Sequence, residues 1–246
     1  MKIIHKFQSM NFDSRNNNAI KYIIIHYTAL RNFSLALDYL CNQKNRVSCH
    51  YLISQSGKIY SLVPDKKRAW HAGLSFWDSD KDINSMSIGI ELDFSNYPKN
   101  NSYNLKMIQS LENLLMSLKK KYKIKKNNIL GHSDIAPYRK IDPGPKFPWK
   151  KLSKKNLTFI NTNIEKKYII FFRKWLRRHK IYSIKKSILF MLAYIGYDVS
   201  LSYKNNKYFN LLLTNYHNHY LQNKYTSKIK IIRYLEIHFL NLLLNK

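Results

Sequence analysis

Apolar and polar positions come in short blocks along this chain, and the texture of those blocks changes near residue 150. Residues 21–26, KYIIIH, form a β-branched run of the kind a buried strand carries, ending on a histidine. Residues 34–40 show weak helical spacing. The runs 50–53 and 58–63 flank Ser54-Gln55-Ser56-Gly57, a hairpin-turn signal. Residues 87–92, SIGIEL, read as an apolar strand interrupted by Glu91. The clearest helix spans 104–122, where Leu105, Ile108, Leu111, Leu115, Leu118 and Tyr122 recur at three- and four-residue steps. Its end, LKKKYKIKK, carries the cations that a helix C-terminus favours. A short strand at 128–130 follows. Alternating strands and helices predict one α/β domain over residues 1–155.

Beyond Trp149 the pattern is different. Residues 152–167 are polar and lack a clear period, as a linker would. In 166–180, KKYIIFFRKWLRRHK, one helical face collects Ile169, Phe172, Leu176 and His179 among cations. Two uses are open for this segment: a connector helix within 156–180 packed on its neighbour, or a helix lying on a membrane surface. Three further helical segments, near 183–195, 206–220 and 227–244, predict a small all-α three-helix unit over 181–246.

Composition changes that picture only at the margins. The 246 residues carry a formal charge of +29 and are 45% hydrophobic, enough for a sizeable core. Such a charge fits a polyanionic partner. Yet the last 91 residues hold 16 Lys/Arg against three acids, so no single arm carries the excess. Abundant Lys, Asn, Ile and Tyr together fit compositional drift better, and no nucleic-acid motif accompanies the charge, so no specific nucleic-acid partner is expected. Cys41 and Cys49 supply neither a disulfide framework nor a CxxC pair. No run reaches the roughly 18–20 apolar residues needed to span a bilayer, and no export signal or lipidation cysteine opens the chain. Taken as complete, the chain would be cytoplasmic.

The segment GHSDIAPYRKIDPGP, residues 131–145, holds three of the six prolines and two of the six glycines. Backbone this stiff exists to hold side chains still. His132 and Asp142 bracket it, and His26 sits at a strand end. Two imidazoles and a carboxylate are a donor set suited to a catalytic zinc ion, although no periodicity brings residues 26 and 132 together. A carboxylate inside SIGIEL is costly to bury unless paired or functional, so Glu91 is either a solvent-facing edge residue or a catalytic base. Lys140, two residues before Asp142, would place a cation beside the metal.

Four motifs then occur in a telling order: KYIIIHYTA, SCHYLISQSGKIYSLVPDKKRAWHAG, NSMSIGIEL and GHSDIAPYRKIDPGPKFPW. Over roughly residues 20–150 the chain resembles the zinc N-acetylmuramoyl-L-alanine amidases of the bacterial type-2 family, related in fold to peptidoglycan recognition proteins. The pair MLAYIGYDV and LLLTNYHNHYL looks like the three-helix peptidoglycan-binding domain appended to some members, among them outer-membrane lipoproteins. The resemblance implies a mixed central sheet flanked by helices, followed by the small all-α domain. It implies one Zn2+ held by His26, His132 and Asp142, with Glu91 as general base and Lys140 stabilising the transition state. Trp70 and His71 fall where the family lines its substrate cleft, and His50 supports the fold. The implied reaction is hydrolysis of the amide joining the N-acetylmuramic acid lactyl group to L-Ala of a stem peptide; the alternative is a non-catalytic peptidoglycan-binding protein, against which the filled ligand set and Glu91 argue. Peptidoglycan or muropeptide fragments are then the expected partners of a monomeric enzyme, and the compartment of the lipoprotein relatives, periplasm or outer membrane, stands as the alternative to the cytoplasm.

Overall fold

A computed structural model describes residues 1–15, 19–95, 102–159, 161–222 and 228–245. In chain order its first half runs β1 (Ile3–Ile4), β2 (Phe12–Ser14), β3 (Tyr22–Tyr27), α1 (Phe33–Cys41), β4 (Tyr51–Ile53), β5 (Ile59–Ser61), β6 (Lys67–Ala69), α2 (Ile83–Met86), β7 (Ser87–Leu92) and α3 (Leu105–Tyr122). Then come β8 (Ile129–Gly131), α4 (His132–Ile135), α5 (Trp149–Lys154), α6 (Lys166–Arg178), α7 (Ile184–Ile195), α8 (Ser200–Lys204), α9 (Asn206–Tyr220) and α10 (Lys228–Leu244).

Six strands form one mixed sheet in the order β1-β5-β4-β7-β3-β8, while β2 and β6 pair antiparallel beside it. The expected hairpin is β4–β5, antiparallel, with Gly57 at φ +82 in its turn, a conformation open to glycine. At the centre, β4, β7, β3 and β8 all run parallel. Both faces of these strands are covered, which is why they read as unbroken apolar runs rather than as alternation. On one face Ile23, Ile25, Ile88 and Ile90 pack against α3. On the other, Tyr22, Ile24 and Leu130 join Trp77 and Ile135 in a cluster that continues into the C-terminal helices through Phe172, Leu192, Leu212 and Leu235.

Helix α3 starts where the period predicts, with the Asn104 side chain accepting from the Lys106 backbone N–H. Its buried stripe is Met107, Ile108, Leu111, Leu114, Leu115 and Leu118. Leu105, expected on that stripe, is the first residue of the helix and is exposed. The expected linker 152–167 is more ordered than its polarity implies. Its start belongs to α5, Leu152 and Leu157 pack into the main core, and Phe159 stacks on His238. Helix α6 buries Ile169, Phe172 and Leu176. His179 leaves that face because the helix ends there, and its ring lies on Trp175 instead. The helix expected over 227–244 is α10; Ser227 lies outside the described residues. Among the described residues no helix is long and apolar enough to cross a membrane.

Candidate active site

Parallel pairing does what sequence periodicity could not. In the β3–β7 register, Tyr22, Ile24 and His26 sit opposite Ser87, Gly89 and Glu91. Paired residues of a sheet project to the same face, so His26 and Glu91 lie side by side at the C-terminal ends of neighbouring strands, where α/β sheets gather their ligands. The β8 pairing ends at Ile25 and Gly131, which brings His132, the next residue, alongside His26. Asp142 is returned to the same point by the turn that follows α4, its carbonyl accepting from the Ser133 N–H at 2.9 Å. Gly131 is required here, since a Cβ would stand 2.6 Å from Cδ of Pro143.

Three atoms therefore converge: His26 Nδ1, His132 Nδ1 and Asp142 Oδ2, at mutual distances of 3.0, 3.1 and 3.2 Å. The surrounding hydrogen bonds set the tautomers. The Ser87 hydroxyl spends its one proton on the Ile83 carbonyl at 2.6 Å, so toward His71 Nε2, at 3.1 Å, it accepts. His71 Nε2 is then the donor, its Nδ1 is an acceptor, and His26 Nε2 must donate to that Nδ1 at 3.1 Å. His132 Nε2 in turn donates to the Ala72 carbonyl at 3.1 Å. Both Nδ1 atoms are left as lone pairs facing a carboxylate oxygen. Three acceptors this close repel unless positive charge lies between them, and two imidazoles with one carboxylate are a zinc-type donor set. The residues thus fit the metal.

Burial and mutual interaction set the proton affinities of these groups. Burial draws the His26 imidazole down to about 4, with the facing His132 adding to it and Asp142 opposing. Burial alone would raise the Asp142 carboxyl, but the facing imidazoles of His132 and His26 outweigh it and hold it well below the usual carboxylate range. Glu91 behaves oppositely. Burial and then the Asp142 charge push its carboxyl up to about 8, against the pull of Lys140. Its Oε2 is buried without a hydrogen-bond partner among the described residues, an orphan a reacting water could satisfy.

A cavity of about 360 Å³ joins these groups, lined by His26, Glu91, His132, Asp142, Lys140 and Tyr39 among others. A larger open groove, about 1000 Å³, lies elsewhere against Tyr51, Asp65 and Tyr122. It holds no comparable set, because the Asp65 carboxylate already accepts from Tyr51, Tyr122 and Lys121. The two cleft candidates part company. Trp70 is absent from the cavity lining, and its indole Nε1 donates to Asp13 at 2.6 Å. His71 borders the cavity but has both ring nitrogens engaged, beneath His26. His50 is buried, accepts from the Gly89 N–H and meets Arg15, as a residue supporting the fold does. Sequence reading missed Ser87, whose place two and four residues before Gly89 and Glu91 on one strand face was its available signal. It also missed Arg139, which donates to the Ala72 and Leu74 carbonyls and gave no signal of its own.

The N-acetylmuramoyl-L-alanine amidase family model matches residues 16–145, a segment that includes every residue of the cluster. The chain belongs to the N-acetylmuramoyl-L-alanine amidase family. It is 36% identical over 193 residues to AmiD of Escherichia coli, covering 73% of this chain and 67% of AmiD. The 1,6-anhydro-N-acetylmuramyl-L-alanine amidase AmpD of Haemophilus influenzae is 36% identical over 165 residues, covering 59% of this chain and 88% of AmpD. The solved structure of E. coli AmiD with anhydro-N-acetylmuramic acid-L-Ala-D-gamma-Glu-L-Lys superposes with a TM-score of 0.74 at 28% identity, over 94% of this chain and 91% of that one. As an amidase of this family, the protein hydrolyses the amide that links N-acetylmuramic acid to L-Ala.

Proposed function

We propose that this amidase is zinc-dependent and acts on peptidoglycan fragments of the muramyl-peptide type, 1,6-anhydro forms included, with His26, His132 and Asp142 holding the metal. The observation that carries the reading is the convergence of three lone-pair atoms within 3.0–3.2 Å, with both imidazole tautomers set from behind. A zinc ion bound there supplies Lewis acidity, polarising a carbonyl and lowering the pKa of water toward about 7.

The chain's own residues do the rest. Glu91, fixed beside His26 by strand register, takes the proton of the attacking water and delivers it to the departing L-Ala amine. Its pKa suits that role: burial and the Asp142 charge, against the pull of Lys140, place it at about 8, close to the neutral pH at which a general base works best. Lys140 lines the same cavity and offers positive charge to the oxyanion that develops on the scissile carbonyl. The muramyl-peptide in the AmiD complex supports the substrate assignment, given how much of both chains superposes.

Incubating zinc-loaded protein with anhydro-muramyl-tripeptide and separating the products should yield free peptide and anhydro-sugar. Glu91→Gln should lower turnover about 10²-fold or more while retaining substrate affinity. Turnover by Glu91→Gln at wild-type rate would remove Glu91 from the mechanism, and no release at any zinc loading would remove the substrate assignment.

A further inference from the structure

Helix α9 turns the residues Leu212, Asn215, Tyr216 and His219 inward, a stripe at three- and four-residue steps that is buried throughout. A helix that only packed a core would carry apolar side chains at all four. Two of these are polar, and both reach the Gly131–Asp142 loop. His219 Nδ1 lies 2.7 Å from Asp134 Oδ2, and that same oxygen accepts from the Gly131 N–H. Asn215, 2% exposed, donates from its single Nδ2 to the Pro137 carbonyl at 2.8 Å and to the Lys140 carbonyl at 3.2 Å.

We infer that Asn215 is a positioning residue for the amidase reaction, acting through the backbone of Lys140. The amide has two protons on Nδ2 and here two carbonyls to receive them. Turning the amide over would point its oxygen at both carbonyls, so its orientation is determined by its partners. The turn is closed on its other side by Arg139 N–H and Lys140 N–H, both bonding to the Ala136 carbonyl at 3.1 Å. Asn215 supplies the outer restraint. Without it the Lys140 carbonyl loses its buried partner, and the residue can swing away from the cavity that it lines with Glu91 and Asp142. A poor helix former buried within α9 is costly by itself, and this bridge is what offsets that cost. The inference rests on the role proposed for Lys140.

A double-mutant cycle on the full zinc-loaded chain tests it. Asn215→Leu should lower kcat about 10- to 100-fold, the range expected for a displaced positioning group, with KM within about twofold and zinc content unchanged. Lys140→Ala should be impaired at least as much, and adding Asn215→Leu to it should cost less than about twofold more. If the two losses multiply, Asn215 does not act through Lys140 and the inference fails. If Lys140→Ala turns over like the wild type, the Lys140 role itself fails, and the inference with it. A kcat loss in Asn215→Leu that tracks zinc loss and vanishes when rates are expressed per bound zinc would mark a purely structural residue and overturn the inference. Should Asn215→Leu not fold, Asn215→Ala closes the same cycle.

Discussion

At the scale of single residues, the site is governed by which atoms carry protons. The histidine pair is useful to a metal only because Ser87, His71 and the Ala72 carbonyl occupy the far nitrogens. Removing the carboxylate leaves two neutral donors. Asp142→Ala should therefore lose zinc at concentrations that saturate the wild type, and full occupancy by elemental analysis in that variant would refute the ligand set. Glu91 makes a second prediction, for metal-free protein. Its folded pKa of about 8 lies above the ordinary 4.5, so the fold favours the protonated form. That contribution is complete below about pH 4.5 and is lost as pH rises toward 8, by at most about 1.4 kcal/mol per pH unit. Urea midpoints of metal-free wild type should fall against those of Glu91→Gln across this window. Parallel curves for the two proteins would show that Glu91 is not buried as described.

At the scale of elements, β7 shows how one strand serves two purposes. Ile88, Ile90 and Leu92 face the α3 core, while Ser87, Gly89 and Glu91 face the site. Gly89 is small for a reason the single strand does not reveal: a Cβ there would lie 2.6 Å from Cδ2 and 2.7 Å from Nδ1 of His71. The ring under His26 occupies the space that a side chain would need. Gly89→Ala should destabilise the protein by about 1–3 kcal/mol through overpacking and weaken zinc binding by tilting His71 away from His26. Urea denaturation and metal competition would measure the two effects, and an unchanged zinc affinity would separate His71 from the metal site. Most strands and helices were legible from period and turn chemistry, β3, β7 and α3 above all. The strap after α5 was not, because its two buried apolar residues make unrelated contacts, Leu157 in the core beneath the sheet and Phe159 against the His238 ring.

At the scale of the whole molecule, the C-terminal helices complete the core of the sheet. Tyr22, Ile24, Trp77, Leu130 and Ile135 share one cluster with residues of α6, α7, α9 and α10. Further contacts tighten the joint. Tyr138 donates to the Asp198 carbonyl at 2.7 Å, and Gly196, at φ +130, lets the α7 end pass beneath the Trp77 indole. Deleting residues 166–246 should therefore expose a broad apolar face. Size-exclusion chromatography and dye binding should show an aggregated or loosely packed product, whereas a monodisperse, cooperatively melting remainder would show that the sheet needs no such cover. The charge of +29 plays no visible part in this architecture. Several cations serve local ion pairs, such as Arg173 with Glu236 at 2.7 Å and Lys155 with Glu112.

By itself the sequence determined the α/β order, the long amphipathic helix, the stiff loop 131–145 and, through motif order, the family and the residues to examine. These are local quantities: a period, a turn residue or a fixed spacing is written within a few positions. Only the tertiary structure decided that His26 and His132, 106 positions apart, share one point. It also decided that Glu91 sits on a central strand with its Oε2 buried rather than at an edge, that His71 backs His26 while Trp70 turns to Asp13, and that Asn215 reaches the catalytic loop. Strand register and helix docking are set by the simultaneous burial of many distant apolar side chains, so no short stretch of sequence encodes them.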